Sequence, residues 1–359
     1  MSGEGLGVKK AAPRVVCYTS ITFSYLNRAR VLSKTLKQFH PDWEMHVFMS
    51  DRPPEELDFN VDNEPFDKVI YLHDFKELWD EAWVFEHSIV ELCTAVKGPY
   101  LEHLLSQQWD IAVYLDPDIA VVAPLDGLVD ALEDADVLLT PHQLTPEPSD
   151  ALTAIRDNEI GSLKFGVYNL GFVAATATGQ GPAFASWWGD RLRQFCFDDV
   201  CGGLFTDQRW CDLAPVFFSE LKVLRDPGYN VASWNLSQRT LEFSESGELL
   251  VNGSPLKFFH FTKLGALGDS MTERYAGGNV AVYELWSWYK REIDQATDSL
   301  IPHRYWHYGN YGDGTPIPAE ARSLYRDRRD LKDHFNNPFA VDGDDSFRHW
   351  FEREHGVAQ

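Results

Sequence analysis

Val113-Tyr114-Leu115-Asp116-Pro117-Asp118-Ile119-Ala120-Val121-Val122 is the stretch that decides how this chain is read. An apolar run leads into two carboxylates spaced i, i+2, and a second apolar run follows. A short apolar run bounded by turn residues is a buried strand. Two acids at its end cannot enter the core, because unpaired buried charge is prohibitive. Pro117 removes a backbone donor and stiffens the turn between them. The carboxylates are therefore expected at the lip of a sheet, where a hard divalent cation and a phosphate are held. The plainer reading is a pair of turn-capping acids.

Working outward, the flanking text alternates strand and helix. Arg14 to Thr19 reads as a strand, Tyr25 to Phe39 has helical spacing, and Trp43 to Met49 and Lys68 to Leu72 read as strands. Phe85 to Leu105 is helical in period and broken at Gly98-Pro99. Leu125 to Leu132 is a predicted helix and Val137 to Thr140 a strand. Pro141 to Asp150, with three prolines, is a predicted loop and a candidate lid. Lys164 to Ala174 reads as a strand, Pro182 to Phe195 as an aromatic-rich helix, and Leu204 to Trp210 as the start of a short helix. Further strands or turns fall at Val223 to Ala232, Leu249 to Val251 and Leu256 to Phe261. This alternation predicts an α/β fold with a mainly parallel sheet flanked by helices. The domain reading is a flexible tail over 1–13, a main domain over 14–275, and an aromatic-rich, mainly helical extension over 276–359.

The net charge of −23 argues against nucleic acid or an anionic membrane as partner. No run of 18 apolar residues is present, so no spanning helix is expected. Five cysteines without a CxxC pair, and no apolar leader after Met1, fit a reducing, cytoplasmic setting.

His260, among aromatics in Lys257 to Lys263, is a core histidine or the imidazole that completes a carboxylate metal site. By themselves Asp207-Gln208 reads as a helix start, Asn169 between glycines as a bulge residue, and Lys97-Gly98-Pro99 as a helix end. The aromatic run Trp286, Trp288, Tyr289, Tyr305, Trp306, Tyr308 and Tyr311 reads as core before it reads as a sugar platform. The Arg322, Arg326, Arg328 and Arg329 helix, diluted by Asp327, Asp330 and Asp333, reads as a solvated face before a membrane-docking one. A phosphatase of the haloacid dehalogenase type, with Asp116 as nucleophile, competes for the D-x-D. Such enzymes want Thr or Val where this chain has Ala120, and their motif opens the domain.

Taken in order, Thr19 to Tyr25, Tyr114 to Asp118, Asn169-Leu170-Gly171, Asp207-Gln208 and His260-Phe261 resemble the motifs of the GT-A-fold glycosyltransferases. Within these they resemble the retaining group around family 8, which includes glycogenin and bacterial galactosyl- and glucosyltransferases. The resemblance spans residues 14 to 275. It implies hexose transfer from a nucleotide-diphosphate sugar, UDP-sugar foremost, to an acceptor hydroxyl, with Mn²⁺ or Mg²⁺ as cofactor. It implies Asp116, Asp118 and His260 as metal ligands, Asp207 and Gln208 as catalytic residues, and Thr19, Tyr25, Lys97, Asp116, Asn169, Gly171 and Lys263 as donor contacts. The sequence departs from the family where His260 should lead to Gly and Lys-Pro-Trp and instead reads Thr262-Lys263-Leu264-Gly265. The family's diphosphate-contacting lysine thus has Lys263 as nearest substitute and Arg274 as second. The different-class alternative is a binding module without turnover on the same fold.

Overall fold

The computed structural model describes residues 12–343 and 345–356. The expected tail over 1–13 lies almost wholly outside the described residues. Among the described residues thirteen strands follow in chain order. β1 (Val15–Ile21), β2 (Glu44–Met49), β3 (Lys68–Tyr71), β4 (Ile111–Leu115), β5 (Ile119–Val121), β6 (Val137–Pro141) and β7 (Tyr168–Thr176) come first. β8 (Leu221–Val223), β9 (Val231–Ala232), β10 (Leu241–Phe243), β11 (Leu249–Val251), β12 (Ser254–Pro255) and β13 (Phe258–His260) complete them.

Seven form the central sheet in the order β3-β2-β1-β4-β7-β6-β8. β3, β2, β1 and β4 run parallel, β7 is antiparallel to both neighbours, and β8 is parallel to β6. The expected mixed, mainly parallel α/β sheet is what the chain forms. Every residue of β1 and β4 is buried, as a strand covered on both faces requires. The period of two divides them: Val16, Tyr18, Ala112 and Tyr114 enter one apolar cluster, and Val15, Cys17, Ile111 and Val113 the other. Chain order reverses between β1 and β4, and the crevice beyond such a switch point is where open α/β sheets bind ligands.

Two sequence expectations fail locally. Gly98-Pro99 does not break a helix but starts one, Lys97–Leu105, with proline in the first turn, where its missing N–H is harmless. Gly98 is needed there for contact: a Cβ would lie 2.8 Å from the nitrogen of Gly189 in the helix Gly181–Phe195. Lys164 and Phe165 belong to the end of the helix Ile160–Phe165, and the strand begins only after Gly166 turns the chain at φ 114°.

Among the described residues no helix is long and apolar enough to cross a membrane. The C-terminal segment packs back on the rest. Trp286 and Tyr289 of the helix Val280–Ala296 share a cluster with Val231, Phe259 and Phe261. Arg322 is not on a solvated face. It is buried, and donates to the carbonyls of Phe85, His87 and Tyr308 at 2.9, 3.0 and 2.5 Å. Five aligned donors satisfy buried carbonyls better than a lysine can, which is why a guanidinium sits there.

Beside it, His87 is fully buried and donates from Nδ1 to the Trp83 carbonyl at 2.7 Å, while its Nε2 has no partner. Burial, with Arg326 and Arg322 nearby, lowers its pKa to about 4 against the pull of the Trp83 carbonyl and Glu91. The unfolded chain, with a histidine near 6.5, therefore binds the extra proton first as pH falls. Stability contributed by neutral His87 is present above pH 6.5 and lost between 6.5 and 4, by up to about 3 kcal/mol. Urea titrations across this window should show a shallower pH slope for His87→Gln than for wild type. Parallel slopes would count against it.

Candidate active site

The turn after β4 shapes the site. Ile119 N donates to Asp116 O at 3.0 Å, closing a four-residue turn with Pro117 in its second position. Asp116 N donates to Gly171 O at 2.8 Å, which ties the turn to β7. β5 then leaves the central sheet and pairs antiparallel with β13, His260 opposite Ile119. Phe261 N donates to Asp118 O at 2.8 Å. This pairing carries His260 to the two acids.

His260 Nε2 lies 3.0 Å from Asp118 Oδ1 and 3.5 Å from Asp116 Oδ2. One ligand atom from each of the three residues lies within 4.8 Å of the others. Nδ1 of the ring faces Asn230 Oδ1 at 3.3 Å. That acceptor takes the Nδ1 proton and leaves the Nε2 lone pair aimed at the carboxylates, the arrangement that orients a ligating histidine. Burial alone would pull the His260 pKa down, but the Asp118 and Asp116 charges raise it, and burial's rise of the Asp118 pKa is likewise outweighed by His260. An imidazole held against two carboxylates is either protonated or bound to a cation. Hard oxygens with one imidazole suit Mn²⁺ or Mg²⁺, and the residues fit such an ion. Gly171 makes room: a Cβ there would lie 2.5 Å from His260 Cε1.

The other oxygen of Asp116 serves a different network. Oδ1 accepts from Tyr114 Oη at 2.7 Å and Lys97 Nζ at 3.1 Å. Lys97 Nζ also donates to Leu170 O at 3.0 Å and pairs with Asp207 Oδ2 at 2.9 Å. Lys97 is 3% exposed, so its charge persists only through these partners. Burial would lower its pKa, yet Asp116 and Asp207 raise it. For Asp207 burial prevails and raises the pKa despite Lys97. Asp207 Oδ2 has no partner besides the Lys97 ammonium, which leaves one of its lone pairs for a polar ligand. Thr206 precedes it at φ 43°, a strained setting for a β-branched residue and a mark of a demanding site.

A cavity of about 280 Å³ joins these groups, with Tyr25, Lys97, Asp116, Asp118, Asp207 and Gln208 in its wall. Asn169 and Gly171 line it as well. Asn169 Oδ1 accepts from Gly171 N at 3.1 Å and Asn230 Nδ2 at 3.0 Å. Gln208 is held at both ends, Oε1 by Leu170 N at 3.2 Å and Nε2 by Phe165 O at 2.7 Å. Two expected contacts are not brought in. Thr19 is buried within β1, while Ser20 and Ile21 of that strand and Thr22 just after it line the cavity instead, and Lys263 is exposed on the turn after β13, outside the lining. Arg274 is paired with Asp157. Asn230, at φ 54°, escaped sequence reading, and the one signal for it is a polar residue after Pro227-Gly228-Tyr229.

No family model matches this chain. Among curated proteins it is similar to the uncharacterized protein YfnF of Bacillus subtilis (strain 168), 26% identical over 176 residues, covering 48% of this chain and 56% of YfnF. It is also similar to the uncharacterized protein YfnD of the same organism, 23% identical over 290 residues, covering 79% of this chain and 85% of YfnD. The chain thus spans about half the length of YfnF. One similar solved structure is the galactosyltransferase LgtC in complex with donor and acceptor sugar analogs. It has a TM-score of 0.46 and 13% identity, over 79% of this chain and 96% of that one. Another is a glycosyltransferase involved in the glycosylation of the major capsid of PBCV-1, with TM-score 0.39 and 9% identity, over 73% and 98%. Both TM-scores lie below 0.5.

Proposed function

We propose that this protein is a metal-dependent glycosyltransferase that moves a hexose from a nucleoside-diphosphate sugar, UDP-sugar foremost, to an acceptor hydroxyl with retention. The observation that carries this reading is the meeting of two networks on Asp116. One of its oxygens faces the Asp118–His260 group and the other faces Lys97 and Asp207. This geometry supports a cation site and a sugar-hydroxyl site side by side at the sheet's switch point.

Asp116, Asp118 and His260 would hold Mn²⁺ or Mg²⁺, which when bound supplies a Lewis acid for the departing diphosphate. Tyr25, 40% exposed at the cavity wall, offers a ring face to the base. Oδ2 of Asp207 accepts a sugar hydroxyl, and the Lys97 ammonium at 2.9 Å holds that carboxyl group in place. Gln208, fixed at both ends of its amide, presents a neutral wall at the reacting carbon and no carboxylate nucleophile. The departing phosphate can then take the acceptor proton from the same face, which yields retention. A phosphatase reading asks Asp116 to attack with an oxygen, yet Oδ1 is engaged by Tyr114 and Lys97 and Oδ2 faces His260.

Calorimetry of the purified protein with UDP-, GDP- and dTDP-sugars, with and without Mn²⁺, tests the reading. Metal-dependent binding of one donor and its slow hydrolysis without acceptor are expected. Absence of binding to every donor under both conditions would sink it, and binding with no turnover would favour a non-catalytic module.

A further inference from the structure

A diphosphate brings more negative charge to a chain that already carries −23, and the cations in view are spoken for. Lys97 is enclosed by Asp116, Asp207 and the Leu170 carbonyl. Lys263 lies outside the cavity wall, and Arg274 is taken by Asp157.

Arg28 is different. It lies in the helix Leu26–Phe39, which runs along β5. Thr35 Oγ1 receives the Val121 N–H at 3.2 Å, and Val31 shares a cluster with Ala120. Arg28 precedes Val31 by three residues and Thr35 by seven, so it lies on the same helix face. It comes at the end of that row that points toward Asp118. Its Cζ sits 4.0 Å over the ring of Tyr25, which lines the cavity; Arg28 is outside the cavity's own lining, and this cation–π contact ties its guanidinium to that wall.

Among the described residues Arg28 pairs with no carboxylate, and its one side-chain hydrogen bond is a long contact to Asn27 Oδ1 at 3.5 Å. Arg30, two residues on, shows the contrast, with Glu64 clamped at 2.7 and 2.6 Å. The Arg28 charge is felt at Asp118 and at the Tyr289 phenol, whose buried hydroxyl has no partner. A second cavity, of about 630 Å³, shares Tyr25 with the first and has Phe23, Asn27, Arg28, His303 and Arg304 in its wall. Room and an unpaired planar cation therefore meet at Tyr25, a residue that shares the first cavity's wall with Asp116 and Asp118.

We propose that Arg28 is the side chain that binds the donor's diphosphate, and that it sets the preference for nucleoside diphosphates over monophosphates. The inference rests on the sugar-transfer reading and adds a residue to it. A guanidinium fork matches phosphate oxygens two at a time, which suits Arg28, free of any carboxylate partner, to a diphosphate.

The test compares UDP, GDP and dTDP, each against its monophosphate, by calorimetry in Mn²⁺ for wild type, Arg28→Gln, Arg28→Lys and Asp118→Asn. Arg28→Gln should weaken the favoured diphosphate by about ten- to a hundredfold and leave its monophosphate nearly unchanged. Arg28→Lys should fall between. Equal losses for diphosphate and monophosphate, or none, would overturn the proposal. Diphosphate binding kept by Arg28→Gln but lost by Asp118→Asn overturns the Arg28 assignment alone. A wild type that binds none of the three diphosphates overturns it together with the sugar-transfer reading.

Discussion

Asp118→Asn will lower Mn²⁺-supported turnover of a nucleotide sugar by about a hundredfold or more. Loss of a group that merely orients a ligand already removes ten- to a hundredfold in metal affinity or activity, and Asp118 is itself a ligand candidate. Asparagine keeps the shape of the turn. The backbone bonds that hold it, Ile119 N to Asp116 O and Phe261 N to Asp118 O, do not involve the side chain. The variant should therefore fold. A second readout is independent of turnover. A ligand that binds the native state alone raises its stability, so Mn²⁺ should raise the melting temperature of wild type and not of Asp118→Asn. An undiminished Mn²⁺ shift in the variant would remove Asp118 from the metal site.

Lys97→Met should have the largest effect on stability, a loss of about 3–5 kcal/mol in urea denaturation at neutral pH. Its ammonium faces Asp116, Asp207 and the Leu170 carbonyl in a place water does not reach. Without it, Asp207 is a buried acid with no counter-charge, next to a second acid. Asp207→Asn in the Lys97→Met background removes that acid and should recover part of the loss, a coupling that a double-mutant cycle reads directly. A single-variant loss under about 1 kcal/mol would show that water reaches the pair. Both variants are expected to lose turnover, so stability tells the two sites apart: Lys97 holds the fold and the site, Asp118 the site.

Much of the architecture could be read along the chain because it rests on local periodicity. β1, β2, β3 and β4 announce themselves as apolar runs closed by polar turns, and the helix Leu26–Phe39 by its spacing. The misreadings have local causes too. Gly98-Pro99 carries the text of a helix breaker, but a proline in the first turn starts a helix as well as it ends one. Which it does here depends on Gly189, a residue that sequence proximity does not offer. Arg322 reads as one more basic residue on a charged helix, and only the carbonyls of Phe85, His87 and Tyr308 make it a buried staple.

The candidate site divides in the same way. Asp116 and Asp118 were legible because i, i+2 acids after a buried strand have nowhere to go but the sheet's lip. Asp207, Gln208 and Asn169 entered through resemblance and not through any rule of spacing, and His260 carried two readings until the resemblance favoured one. Asn230 and Arg28 were not singled out at all. Neither has a local signature: Asn230 matters through the ring it orients, and Arg28 through the carboxylates it lacks.

Composition and short-range pattern settled the class of fold and the edge at which the acids emerge, since burial and charge penalties act residue by residue. The tertiary structure settled which partners meet there. Pairing of β5 with β13 brings His260 to Asp118, contact between Gly98 and Gly189 lets the helix behind Lys97 close in, and packing of the first helix on β5 places Arg28 beside the acids. Such partners are chosen by long-range register and by the room that glycines leave, and a linear text records neither.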